Sequence, residues 1–184
     1  TFLSDGVLSP IELIRRCIVN GYSALGIADH AGASTLERVL AEVRRDADAA
    51  RQYWGFEVLT GIELTHVPAA SIAELAARAR QLGADHVVVH GESPVEPVEP
   101  GTNLAAARCP EVDLLAHPGL LSAEAAQAAA ALNHWALVDD SQVIYIRDVK
   151  LRQNATVALD DLALSLLSGA IRTRQKAEAA RLIR

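Results

Sequence analysis

Four short apolar runs in this 184-residue chain each end in a residue type that binds metal ions. Asp29 and His30 follow Ala24 to Ala28, Glu63 follows Phe56 to Ile62, His90 follows His86 to Val89, and His117 follows Val112 to Ala116. Imidazole and carboxylate donors together suit zinc, manganese or iron, whereas magnesium or calcium would be held almost wholly by oxygen. Taken singly, each histidine reads as a hydrogen-bonded structural residue and the glutamate as a helix cap. Their common position, at the same end of four separate runs, favours one shared metal site.

Other reactive residues fit plainer roles. His66, two residues past Glu63, reads as a solvated loop histidine or as support for the site. His86 stands at the opposite end of its run and His134 in a segment without clear periodicity, so both read as structural or exposed. The charged stretches around Arg44 and from Arg172 to Lys176 fall on helical sequence, where a solvated face accounts for them. No Gly-x-Ser-x-Gly elbow and no glycine-rich phosphate loop is present, which excludes a serine hydrolase and a nucleotide-binding P-loop.

The elements that must position these residues are marked locally. Ser9, Pro10 and Glu12 form a capping box ahead of a helix over Pro10 to Asn20, and Ser34 with Glu37 and Ser71 with Glu74 repeat the box pattern. Gly21, Gly55 and Gly83 each separate a helical stretch from the next apolar run, where a left-handed cap turns the chain back. The apolar runs read as buried strands, and strands alternating with helices require a parallel sheet. That sheet is either open and doubly wound or closed into a barrel, and spacing does not choose between them. In a barrel, the strand ends would converge in one cup.

Glu92 to Pro100, with three prolines, is a long loop after the third strand. The alanine run Ala125 to Ala131 reads as a packed helix. Beyond Ala136 the pattern weakens: Gln142 to Leu151 reads as a strand, Thr156 to Leu159 as a short one, and Asp161 to Arg184 as mostly helix. The whole of 1–184 is expected to be a single domain.

With 51% hydrophobic and 22% charged residues the chain is of ordinary globular composition, and its net charge of −6 gives no general attraction to nucleic acid or anionic membrane. Cys17 and Cys109 form no C-x-x-C motif, so neither a disulfide framework nor a thiolate zinc site is expected. No apolar run approaches the roughly 18 residues of a membrane span. A cytoplasmic location follows as the expectation. The chain has no Met and opens on Thr1, so residues ahead of it are expected.

The residues Thr1 to Gly6 (TFLSDG), Ile27 to His30 (IADH), Gly61 to Glu63 (GIE) and Ala116 to Gly119 (AHPG) resemble, in order, the motifs of the polymerase and histidinol phosphatase (PHP) family. Val87 to Asn103 (VVVHGESPVEPVEPGTN) is similar to the histidinol-phosphatase-like members in particular. The resemblance covers 1–119 and fades after 136. It implies an α/β fold, a distorted (β/α)7 barrel of the PHP type, holding two or three divalent metal ions (Zn, Mn or Fe). His30, Glu63, His90 and His117 would be ligands, with Glu63 bridging two metals, and Asp5 would occupy a ligand position in the first loop. Carboxylates commonly orient metal-binding imidazoles, so Asp29 reads as support for His30 or the rim, with a plain helix-capping role equally open. Two family features are missing: the His-x-His pair would fall ahead of Thr1, at the start of the first strand, and the Asp-x-His of the last strand has only Asp160 or Asp161 as candidates.

The activity implied is hydrolysis of a small phosphate monoester by metal-bound water. The alternatives are a phosphodiesterase or nuclease, which the acidic chain disfavours, and a degenerate barrel that binds a ligand or partner without turnover.

Overall fold

The structure, a computed structural model, describes residues 1–93, 97–119, 121–132, 135–139 and 142–145, the last two segments as backbone. Helix α1 (Pro10–Val19) leads to strand β1 (Ala24–Ala31), then α2 (Leu36–Trp54), β2 (Glu57–Leu64), a 3-10 turn (Ala69–Ser71) and α3 (Ile72–Gln81). Strand β3 (His86–His90), α4 (Thr102–Arg108), β4 (Leu114–Ala116), α5 (Ala123–Leu132), β5 (Trp135–Asp139) and β6 (Gln142–Tyr145) follow.

The sheet order is β1-β2-β3-β4-β5-β6. The pairs from β1–β2 through β4–β5 are parallel, and β6 runs antiparallel to β5. This overturns the expected (β/α)7 barrel. Among the described residues there are five parallel strands, β1 to β5, alternating with five helices, then β6 antiparallel to β5, and no pairing returns the sheet to β1. Alternation of helix and strand dictates parallel crossovers but says nothing of closure. Antiparallel β6 reverses the chain direction and ends the parallel series. The expected strand over Thr156 to Leu159, the helix over Asp161 to Arg184, and Asp160 and Asp161 lie outside the described residues.

Strand alternation sorts side chains onto two faces. Ile27, Val58, Ile62, Leu64, Val87, Val89 and Leu115 face the helices and share one core with Ile14 of α1, Ile72 of α3 and the buried stripe of α2, Leu36, Val39, Leu40, Val43, Ala47 and Ala50. The spacing of that stripe is the helical period that the sequence displays. The other face carries Gly26, Ala28, Glu63, His86, Val88, Leu114 and Ala116, which line a concavity.

Helix starts and stops follow the local chemistry unevenly. Ser9 caps α1 as expected, its Oγ accepting the Glu12 N–H at 3.2 Å, and Gly55 ends α2 in the left-handed region at φ 61°. The other two boxes do not form. The cap of α2 is Thr35, without a side-chain bond to the helix, and the Ser71 hydroxyl donates to the Pro68 carbonyl at 2.8 Å instead.

Two aspartates fasten the sheet at the edge where β2 to β4 begin. Asp85, just ahead of β3, accepts the Thr60 N–H of β2 at 2.7 Å and its hydroxyl at 3.0 Å. Asp113, just ahead of β4, accepts the Val87 N–H of β3 at 2.7 Å. Arg80 of α3 pairs with Asp113 and donates to the carbonyls of Ala84, Asp85 and Glu111. Burial works against the charge on Asp85, but the Thr60 bonds and the charges of Arg51 and Arg44 hold its carboxyl below its ordinary value.

His86 is half-buried at the start of β3. Its ring lies over Gly61 and Gly26, where a Cβ on Gly61 would meet the ring Nε2 and the His86 carbonyl oxygen, both at 2.5 Å. Burial pushes the imidazole below its usual pKa, against the opposing pull of Asp113 and Asp85.

Two stability measurements check these points. Gly61→Ala should destabilise by about 1–3 kcal/mol in urea unfolding, since backbone cannot yield to the new methyl, and by more than Gly21→Ala, whose left-handed φ of 77° is strained but whose surroundings are open. The unfolded chain binds a proton on His86 that the folded chain resists, so stability should fall as pH drops below the ordinary histidine value of 6.5. The Asp85 contribution is complete above 3.8 and is lost as pH falls through its lower folded value. His86→Gln should remove the first of these two declines.

Candidate metal centre

Parallel pairing brings the candidate ligands to one edge. His30 and Glu63 are register partners on β1 and β2, and His90 is the last residue of β3. Strands β1 and β2 run two residues or more further than the apolar runs suggest, so His30 and Glu63 lie within them and are held by backbone pairing in the sheet. One donor atom each from His30, Glu63 and His90 lies within 4.8 Å of the others, a group that could hold a metal ion. His30 Nε2 stands 3.6 Å from Glu63 Oε2, and the His30 and His90 rings meet edge to face with centroids 5.7 Å apart.

The His90 ring is buried, and its Nδ1 is 3.0 Å from the Gly91 carbonyl oxygen. A carbonyl only accepts, so Nδ1 carries the proton and Nε2 is the basic nitrogen, the form that a metal binds. One carboxylate with two imidazoles is a donor set that zinc and its transition-metal neighbours take readily. The residues therefore fit a metal.

His117, directly after β4, packs against His90 with ring centroids 4.9 Å apart. It stands outside the three-donor group, at a backbone φ of 50°. A non-glycine residue held in that region ahead of a proline stores strain of order 1–3 kcal/mol, which is found chiefly at functional positions. Asp5 is on the exposed rim, its Oδ1 4.0 Å from His30 Nδ1. The Ser4 hydroxyl bond, more than the charge of His30, lowers the Asp5 pKa, while partial burial opposes the shift. His66 is exposed in the loop after β2 at φ 57°, and His134 lies outside the described residues.

The sequence leads to the expectation that Asp29 supports His30 or the rim; it does not contact His30 but holds the first loop at the rim. Alternation points it to the other side of β1, where it is 1% exposed and accepts from the Thr1 hydroxyl at 2.8 Å and the Ser4 hydroxyl at 2.9 Å. Ser4 Oγ also lies 2.9 Å from Asp5 Oδ1, so Asp29 anchors the loop that carries Asp5. Sequence reasoning missed Ser4 and Asn103, which lies behind His90. Both fall within stretches that carried the family resemblance, TFLSDG and VVVHGESPVEPVEPGTN, but no spacing rule singles them out.

Fold and site together define an α/β protein with a potential metal centre at the C-terminal edge of a parallel sheet. The chain is 44% identical over 128 residues to an uncharacterized protein of Methanocaldococcus jannaschii, a match covering 69% of this chain and 59% of that protein. The chain thus spans less than two thirds of that relative's length. No family model and no solved structure matches. Among the described residues no helix is long and apolar enough to cross a membrane.

The geometry ranks the candidate donors. Glu63→Gln and His90→Ala should each weaken Zn2+ binding at least about tenfold, equivalent to about 1.4 kcal/mol, in competition with a chelating dye. Asp5→Asn, at the exposed rim, should weaken it less.

Proposed function

We propose that the chain is a metal-dependent hydrolase of phosphoesters whose substrate is a small phosphate monoester. The observation that carries this reading is the convergence of His30, Glu63 and His90 at the C-terminal edge, the side where ligands bind parallel α/β sheets. The resemblance of four ordered sequence motifs to the PHP family supports it.

Each residue has a defined task in this reading. Glu63 supplies the negative charge that balances a cation, while His30 and His90 contribute neutral nitrogens. His117, beside His90, and Asp5, beside His30, extend the donor set toward a second or third ion, for which zinc, manganese and iron are the candidates. A bound divalent ion supplies Lewis acidity and lowers the pKa of a coordinated water to near neutrality. The buried His90 and the half-buried Glu63 and His30 hold that chemistry at the sheet edge, with solvent reaching it from the Asp5 side. The acidic chain favours a small phosphorylated substrate over nucleic acid, and a cytoplasmic setting is part of the proposal.

The test is hydrolysis of a panel of phosphate monoesters and diesters by protein loaded with Zn2+ or Mn2+. Monoester turnover is expected, with loss of at least about a hundredfold in kcat/KM for Glu63→Gln, equivalent to about 2.7 kcal/mol. Preference for single-stranded nucleic acid would make the chain a nuclease. Stoichiometric metal binding with no turnover of any ester would overturn the hydrolase reading in favour of a binding module.

A further inference from the structure

We infer that Asn103 is a positioning residue for His90, acting through a single peptide group. The inference builds on the reading of His90 as a metal ligand. The Gly91–Glu92 peptide is gripped at both ends. Its carbonyl oxygen, on Gly91, accepts from His90 Nδ1 at 3.0 Å, and its N–H, on Glu92, donates to Asn103 Oδ1 at 2.9 Å. A continuous path therefore runs from the Asn103 amide oxygen, through one rigid plane, to the imidazole proton that leaves Nε2 basic.

The surroundings make this plane hard to rotate. The Gly91 N–H donates to the Ala116 carbonyl oxygen at 2.6 Å, joining the end of β3 to the end of β4. Position 91 accepts no side chain, because a Cβ there would stand 2.6 Å from Asn103 Oδ1 and 2.8 Å from the Ala116 oxygen. Asn103 is itself fixed. It is 2% exposed, and its own N–H and that of Gly101 both donate to Glu92 Oε1, at 2.9 and 3.0 Å. Asn103 and Glu92 thus clasp each other across the long loop after β3.

Glu92 caps the start of α4 through the Asn103 backbone N–H, and that role needs nothing of the Asn103 side chain. The side-chain oxygen has a separate task, and the buried Nδ2 has no hydrogen-bond partner among the described residues. The acceptor is therefore the working half of this amide. Without it, the Glu92 N–H loses its partner, the peptide gains freedom to turn, and His90 can exchange its Nδ1 proton for one on Nε2. That tautomer cannot bind a metal through Nε2.

The test uses the full chain labelled with 15N in histidine. In metal-free wild-type protein at pH above the histidine range, His90 should show one tautomer, with Nδ1 protonated and Nε2 not. An Nε2-protonated or mixed His90 would overturn the proposal without any variant. Asn103→Ala should give a mixture of tautomers and about 10–100-fold weaker Zn2+ binding, with the circular dichroism spectrum of the fold retained. Asn103→Asp, which keeps an oxygen facing the Glu92 N–H, should restore the single tautomer. An unchanged tautomer and Zn2+ affinity in folded Asn103→Ala would overturn the proposal, as would a mixed tautomer in Asn103→Asp should the alanine variant not fold. The tautomer is read without metal, so a pure Nδ1–H form that binds no Zn2+ would count against the metal centre and leave the positioning role standing.

Discussion

The register of the parallel strands is the constraint on which the site depends, and two carboxylates fasten it. Asp85 and Asp113 stand one residue ahead of β3 and β4, and each takes a backbone N–H from the strand before. A slip of one residue would turn His30, Glu63 or His90 to the helix-packed face, since side chains alternate along a strand. Fastening one edge of the sheet therefore decides what meets at the other. Arg80, bonded to the carbonyls of Ala84, Asp85 and Glu111, locks the loops that present these carboxylates.

At the opposite edge, the donors combine two kinds of support. His30 and Glu63 sit within paired strands, where backbone bonds set the direction of their side chains. His90 and His117 sit where pairing ends, and local geometry does the same work. His90 leans on the Gly91 carbonyl, and His117 takes an unusual backbone angle against the His90 ring. Asp29 contributes from the reverse side of β1, holding the loop that brings Asp5 toward His30. The carboxylate and imidazole groups thus reach a common volume by separate routes.

Much of this was legible in the sequence where a local rule governs. The Ser9 cap, the left-handed turn at Gly55 and the apolar stripe of α2 depend on near neighbours, and all three form. The convergence of His30, Glu63 and His90 followed from one inference, that parallel strands end on the same side. The failures have a common cause. Closure into a barrel depends on how distant strands meet, which helix and strand alternation does not encode. Ser71 shows that a capping pattern competes with other partners for the same hydroxyl, and α2 is capped one residue past Ser34, at Thr35. Asn103 was invisible because its partner peptide lies 11 residues away across an irregular loop.

The spatial order of the strands, β1 through β6, repeats their order along the chain. Among the described residues no strand has to be threaded between two already in place, so each can dock on the free edge left by its predecessor as the polypeptide leaves the ribosome. The three grouped donors follow the same timetable, His30 and Glu63 meeting first and His90 arriving with β3. Nascent chains shorter than that third strand would hold only part of the donor set, so tight retention of an ion would mark a completed early core.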